Sequence, residues 1–399
     1  MQISNMISEI QTSKTIQVKE TALKLKSSGI DVVDLTAGEP DFQTPDFIRE
    51  AGIKAIRDGF TKYTQNAGIP GLRQKIAYKL QVDNQLEYSP EQIIVSNGAK
   101  QCILNALMAI LNKGDEVIFQ TPYWVSYPEQ VIIAGGKPVT IDTINTGYKI
   151  HPEDLRKKIN PKTRILIFNS PSNPTGIVYN EEELNGLAEI LTTENIWVIS
   201  DEIYEKIIFD GLRHHSIAAR DKLIEKCIVI NGFSKSYSMT GWRLGYAAGP
   251  LPVIKAMSKI QSHYTSNASS ISQKAAEAAL NGSDEEVKKM ATTFEQRRNY
   301  IKEQLDGSPY FDYVFPQGAF YFFINVSKAF GKSIGNQTIK DSVDFSTYTT
   351  ENFHVVTVPG IAFGANDFIR LSFAASQADL EKGMQRLIKA MNQLVETGK

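Results

Sequence analysis

Three short apolar runs in this chain are each followed at once by polar residues able to do chemistry. Residues 164–168 (RILIF) run into 169–176 (NSPSNPTG), 196–200 (IWVIS) into Asp201 and 202–204 (EIY), and 227–230 (CIVI) into 231–235 (NGFSK). Ligands of open α/β sheets bind beyond the carboxyl ends of the strands, so these three segments are expected to meet in one crevice. Asp201 alone reads as a helix N-cap or a surface turn. Its chemical reading is a carboxylate held against a cationic ring nitrogen. Lys235 alone reads as a solvated turn lysine. With Ser234 before it and Arg243 eight residues on, in 238–243 (SMTGWR), it lies beside a hydroxyl and a guanidinium fork suited to a phosphate. An amine that can form a Schiff base, a phosphate site and a strand-end carboxylate together fit pyridoxal 5'-phosphate, whose protonated pyridine is the better electron sink. Cations around such a lysine also lower its pKa, as nucleophilic amine chemistry requires.

Two further segments can complete the site. Asn97, Gly98, Ala99 and Lys100 precede a helical run over 101–111, and small residues opening a helix let its N–H groups approach a phosphate; taken alone, Asn-Gly is also an ordinary turn. Trp124, in 121–127 (TPYWVSY), reads as core or as a flat ring laid over a cofactor.

The elements that must carry these residues follow a βαβα rhythm. Residues 116–120, 164–168, 196–200 and 227–230 are short, apolar and rich in β-branched side chains, as in strands buried on both faces. Between them lie helical patterns such as 181–191, with Leu184, Leu187, Ile190 and Leu191 on one side. This order predicts a doubly wound open sheet. The last third differs: a long charged helix over 284–305, strand-like runs at 320–324 and 368–371, and a final helix with a stripe of Leu380, Met384, Leu387, Ile388, Met391 and Leu394 predict a smaller α+β unit. Residues 89–92 (SPEQ) read as a capping box with proline at the first helical position.

Bulk properties exclude several classes. The 399 residues are 42% apolar and 22% charged, with 43 basic and 44 acidic side chains; that balance gives no general attraction to nucleic acid or anionic membranes. No run of 18 apolar residues suggests a membrane span, and the N-terminus shows no signal-peptide pattern, so a cytoplasmic protein is expected. Cys102 and Cys227 sit in apolar surroundings and read as core residues of a reducing compartment. The five histidines show no metal-ligand spacing, and the adjacent His214 and His215 cannot converge on one ion, so no metal is expected.

The ordered motifs 37–42 (AGEPDF), 62–70 (KYTQNAGIP), 173–176 (NPTG), 200–204 (SDEIY), 233–235 (FSK) to 241–243 (GWR), 318–321 (GAFY) and 370–372 (RLS) resemble a fold-type I, class I pyridoxal-phosphate aminotransferase of the aspartate aminotransferase superfamily, over nearly the whole chain. The resemblance implies an α/β fold of the PLP-transferase type: a large domain over 45–280, with a mostly parallel central sheet flanked by helices, and a smaller α+β domain built from 1–44, with the N-terminal arm, and 281–399. It implies that Lys235 forms the Schiff base and moves the substrate proton, that Asp201 pairs with the pyridinium nitrogen, and that Tyr204 and Asn173 bond the phenolic oxygen. Trp124 would stack on the ring. The backbone at Gly98 and Ala99, with Lys100 nearby, Ser234 and Arg243 would hold the phosphate, joined by Tyr63 from a second subunit of a homodimer. Arg370, otherwise readable as a surface ion-pair residue, would clamp the substrate α-carboxylate, helped by Asn173 and Gly38. At Gly232 the chain departs from members that place a phosphate-binding hydroxyl there; that contact is expected to be missing.

Lys100 bears on the substrate. The sequence resembles a bacterial branch in which a lysine here meets the distal carboxylate, aided by arm hydroxyls matching Ser13 and Thr15; otherwise Lys100 is a first-turn helix residue facing solvent. The implied reaction is L-aspartate plus 2-oxoglutarate giving oxaloacetate plus L-glutamate. Prephenate or aromatic substrates, or lyase chemistry on the same scaffold, are alternatives. A transcription regulator would need a DNA-binding module for which the chain shows no room, and a nicotinamide enzyme a G-x-G-x-x-G after its first strand, which is missing.

Overall fold

The computed structural model describes residues 4–10, 16–220, 222–334 and 337–397. Its centre is a seven-stranded sheet made of Ile93–Ser96 (β1), Glu116–Thr121 (β2), Lys137–Asp142 (β3), Thr163–Asn169 (β4), Trp197–Asp201 (β5), Cys227–Gly232 (β6) and Gly245–Ala248 (β7). The spatial order is β1-β7-β6-β5-β4-β2-β3. Only β7 runs against its two neighbours; the other pairings are parallel.

Alternate residues of each strand feed two apolar layers, as strand geometry requires. Ile165, Ile167, Ile199 and Ile228 pack with Ile103, Leu107 and Met257 of the helices Ala99–Ile110 and Leu251–Tyr264. Leu166, Phe168, Val198 and Val229 pack on the opposite face with Leu72, Ile76, Leu184 and Leu187, from the helices Pro70–Asn84 and Glu181–Thr193. The four runs read as strands in the sequence are therefore strands buried on both sides. Three others escaped that reading. Lys137–Asp142 is a half-exposed edge strand containing proline, Ile93–Ser96 is four residues long, and Gly245–Ala248 (GYAA) lacks β-forming side chains and is held by antiparallel pairing to β1 and β6.

A second, antiparallel sheet orders Val358–Pro359, Phe368–Ser372, Tyr321–Asn325 and Asp312–Val314 side by side. The helices Glu285–Asp306 and Gln377–Asn392 cover it, and Phe294, Ile301, Leu380, Met384, Leu387 and Met391 fill the space beneath. Ile203, Tyr204, Ile207 and Phe209, which follow β5, also enter this second core. Val33–Asp34 pairs with Val355–Val356, and Leu35 O accepts from the Ser372 N–H at 2.8 Å. The segment from Thr36 to Phe42 is thereby laid across the gap between the two sheets.

Residues 89–92 form a capping box, with Gln92 Oε1 accepting from Ser89 N–H at 3.1 Å, but it opens only the 3-10 turn Pro90–Gln92. The β-branched Ile93-Ile94-Val95 that follow enter β1 at once. Cys102 and Cys227 are buried free thiols.

Candidate active site

A cavity of about 470 Å³ opens at the carboxyl ends of β4, β5 and β6, and Asn173, Asp201, Lys235, Arg243, Arg370 and Lys100 all line it. The parallel neighbours β4, β5 and β6 bring their three following segments together. Asn169, at the end of β4, ties the first two: its Nδ2 donates to Asp201 O at 2.8 Å and its Oδ1 accepts from Asn173 N–H at 3.0 Å.

Asp201 is buried, and Tyr127 Oη donates to its Oδ2 at 2.7 Å. Burial raises its carboxyl to about 6, although the Tyr127 and Ile203 hydrogen bonds and Lys235 pull the other way. A carboxylate kept from water with one strong donor is prepared for a cation that the protein does not itself supply. Lys235 lies across the cavity, half-buried, with its Nζ donating to Gly38 O. Burial lowers its amine to about 8, opposed by Glu39 and assisted by Arg370 and Arg243. An appreciable neutral fraction near pH 8 suits a nucleophilic amine.

The helix Ala99–Ile110 starts at the cavity wall. Its N-cap, Gly98, has φ +89°, and a Cβ there would lie 2.6 Å from Arg243 Nη2. Arg243 donates to Thr240 O at 2.9 Å and Asn97 O at 3.3 Å and has no carboxylate partner among the described residues. The first N–H groups of this helix have no intrahelical carbonyl to meet. With Arg243 and Ser234 beside them they form a cradle suited to a phosphate. Gly245 permits this approach, because a Cβ there would stand 2.4 Å from Ala99 N. Gly232, paired with Gly245 across the sheet, is equally confined: its Cβ would meet Gly245 Cα at 2.9 Å and Leu244 O at 3.1 Å. A hydroxyl-bearing side chain has no room there, which accounts for glycine at that position.

Arg370 is buried on the second sheet. Its Nη1 donates to Asn173 Oδ1 at 3.1 Å, its Nη2 donates to Thr36 O at 3.0 Å, and its Nε has no partner among the described residues. Its guanidinium lies 4.2 Å from the Tyr321 ring centroid, the contact expected when Arg370 pairs opposite Phe323 and Tyr321 stands two residues along the facing strand. A buried guanidinium with no carboxylate among the described residues, and with its Nε still free, matches a planar carboxylate from outside. Lys100 Nζ lies 5.0 Å from the Trp124 ring centroid, and burial, then Arg243, lowers its pKa. Trp124 itself packs edge-on against Tyr127, 5.4 Å between centroids.

One expected residue stands apart from this cluster. Tyr63 is 89% exposed and does not line the cavity of its own chain. Ser13 and Thr15 lie outside the described residues. Conversely, Tyr127, Tyr321, Asn169, Thr240 and Glu39 line the cavity without having been singled out for a role. Tyr127 and Tyr321 fell inside recognised segments, but only tertiary contact distinguishes them from core aromatics.

His214 and His215 do diverge, His215 toward Glu181 and His214 toward Glu202. Among the described residues one group, Glu202, Glu205 and His214, brings ligand-type atoms within 4.8 Å of one another. These atoms are already engaged. Glu202 accepts from Ser200, Ser216 and His214 at 2.6–2.8 Å, and Glu205 pairs with Lys79 and accepts from Asn84. Burial pushes the Glu205 carboxyl up, but Lys79 and His214 hold it down at about 2. Glu202 and Glu205 each follow a cavity residue, Asp201 or Tyr204, so this network anchors the far side of the same segment.

Fold and cavity together define an α/β enzyme built to hold a phosphorylated, cationic-ring cofactor next to an amine. The model of the family "Aminotransferase class I and II" matches residues 30–387, and the chain belongs to that family of pyridoxal-phosphate-dependent enzymes. It is 48% identical over 396 residues to a protein of Rickettsia bellii named a probable aspartate/prephenate aminotransferase, covering 98% of this chain and 99% of that one. It is 46% identical over 393 residues to an aspartate aminotransferase of Geobacillus stearothermophilus, again covering 98% and 99%. The aspartate aminotransferase structure from Rhizobium meliloti superposes with a TM-score of 0.95 at 41% identity, covering 99% and 100% of the two chains. That of Thermus thermophilus with maleate gives 0.91 at 39%, covering 98% and 100%.

Proposed function

We propose that the chain transfers the amino group of L-aspartate to 2-oxoglutarate, yielding oxaloacetate and L-glutamate, in two half-reactions at one site. The observation that carries the substrate class is charge. Arg370 and Lys100 both face the cavity without a carboxylate partner among the described residues. A desolvated dicarboxylate needs a cation at each end. The names of the Geobacillus and Rhizobium relatives and the dicarboxylate maleate in the Thermus structure agree with that reading.

When bound, pyridoxal phosphate supplies the electron sink for the substrate carbon and carries the amino group between half-reactions. The protein's part divides among named atoms. Lys235 Nζ is the covalent attachment point and moves the proton at the substrate α-carbon. The Asp201 carboxylate keeps the ring nitrogen protonated, and Tyr127 holds that carboxylate in place. Tyr204 and Asn173 donate to the ring oxygen. The Gly98–Ala99 backbone, Ser234 and Arg243 bind phosphate, and Trp124 covers the ring. Arg370 takes the α-carboxylate, with Asn173 and Gly38 beside it, and Lys100 takes the distal one, with Ser13 and Thr15 assigned to the same end.

Tyr63 is assigned to the phosphate of a second subunit, which its 89% exposure leaves open; the working form is then a homodimer with shared sites. The large domain is assigned to 45–280 and the small one to 1–44 and 281–399, in a cytoplasmic protein. Prephenate, which also carries two carboxylates, is the second substrate reading, supported by the name of the Rickettsia relative.

The test is a half-reaction. Aspartate added alone to holoenzyme should convert the visible cofactor band to that of the amine form with stoichiometric oxaloacetate. Release of pyruvate or ammonia instead would identify a lyase. Lys100→Ala should raise KM for aspartate at least tenfold (about 1.4 kcal/mol) while changing that for a neutral amino acid little; equal changes would remove Lys100 from the pocket.

A further inference from the structure

Tyr204 and Tyr321 place their hydroxyls 2.9 Å apart in buried space. Each hydroxyl carries one proton, so the pair has one proton to share and one to give outward. Tyr321 also stands at the junction of the two halves of the site. Its ring carries the Arg370 guanidinium at 4.2 Å, its edge meets the Tyr204 ring at 5.9 Å, and its hydroxyl lies 3.8 Å from where a Gly38 Cβ would stand.

We propose that Tyr321 is a positioning residue that sets the direction of this hydroxyl pair: its proton goes to Tyr204 Oη, so that the proton of Tyr204 is turned to the cofactor ring oxygen, while its ring supports the guanidinium that receives the substrate carboxylate. The inference rests on the assignment of Tyr204 to that ring oxygen. Its physical content is cooperativity. A hydroxyl that accepts one hydrogen bond donates a stronger one. Without Tyr321 Oη, Tyr204 would stabilise a bound cofactor's ring oxygen less, and the cofactor linked to Lys235 would give up its titrating proton less readily.

The experiment is a pH titration of the visible band of substrate-free holoenzyme, for the parent, Tyr321→Phe, Tyr204→Phe and the double variant. The midpoint of Tyr321→Phe should rise, by roughly threefold or more in proton affinity. Tyr204→Phe should rise further, and the double variant should match Tyr204→Phe alone, because both substitutions act through one bond. Since Tyr321→Phe keeps the ring under Arg370, KM for aspartate should stay within about twofold. A Tyr321→Phe midpoint equal to the parent's, or a shift that adds in full to that of Tyr204→Phe, overturns the proposal. So does a raised KM with no spectral change, which would leave Tyr321 as a support for Arg370 alone. If Tyr204→Phe itself leaves the midpoint unmoved, the assignment of Tyr204 fails first, and the two failures are told apart.

Discussion

Asp201 carries a cost for the fold at the place where it is proposed to meet the cofactor's ring nitrogen. Its carboxyl is raised to about 6 by burial, above the ordinary value near 3.8, so the folded protein binds that proton more tightly than the unfolded chain. The stability it contributes is complete below about pH 4 and is lost as pH rises through 6. The rise from 3.8 to about 6 corresponds to roughly 3 kcal/mol at neutral pH. Asp201→Asn should therefore make the cofactor-free protein more stable than its parent at pH 8, by about 2–3 kcal/mol in denaturant unfolding, with the difference vanishing near pH 4. Equal stability at pH 8 would contradict the burial argument. Binding of a ring cation offsets the same penalty, so the cost falls on the empty site. Asp201 and Lys235 were legible because each follows a strand-like run, and Arg243 because it stands eight residues beyond Lys235 in a motif of recognisable order. Tyr127 was not: a tyrosine three residues after Trp124 reads as core, and only its 2.7 Å bond to Asp201 gives it a task.

At the scale of elements, the site depends on how closely one helix approaches one sheet. Ala99–Ile110 reaches β7 because Gly245 has no side chain, and it begins at Gly98, where φ is +89°. Adding a methyl at Gly245 must displace the helix start, since the obstructing atom, Ala99 N at 2.4 Å, is backbone. Gly245→Ala should still fold, losing about 1–3 kcal/mol, but its dissociation constant for pyridoxal phosphate should rise at least tenfold in an absorbance titration. Unchanged affinity would show that the helix start does not hold the phosphate. The apolar, β-branched strands β2, β4, β5 and β6 could be read directly from sequence. β7 could not, because Gly245 serves close approach to Ala99 and Gly232 rather than strand propensity, and the alanines beside it are weak strand formers. For the same reason Gly232 looked like a lost phosphate ligand, when the space beside it is already filled.

For the whole molecule, net charge is a poor guide to local charge. The chain totals −1, yet its cavity gathers Lys100, Lys235, Arg243 and Arg370 against Asp201 and Glu39. That local excess of cations suits a dianionic phosphate and a dicarboxylate, and composition could not show it. It exists because the two sheets meet along the segment from Thr36 to Phe42: the large sheet delivers Asp201, Lys235 and Arg243, the small one delivers Arg370 and Tyr321, and Gly38 O receives Lys235 Nζ from across the gap. Lys235 is the residue on which both halves converge, and the proposed chemistry depends on a covalent link there. The most direct measurement is the visible spectrum and mass of Lys235→Ala purified with pyridoxal phosphate. The protein should fold, show no Schiff-base band, and carry no cofactor adduct after borohydride reduction, whereas the parent carries one per chain. A reducible adduct retained by Lys235→Ala, with its visible band intact, would place the chemistry on another lysine.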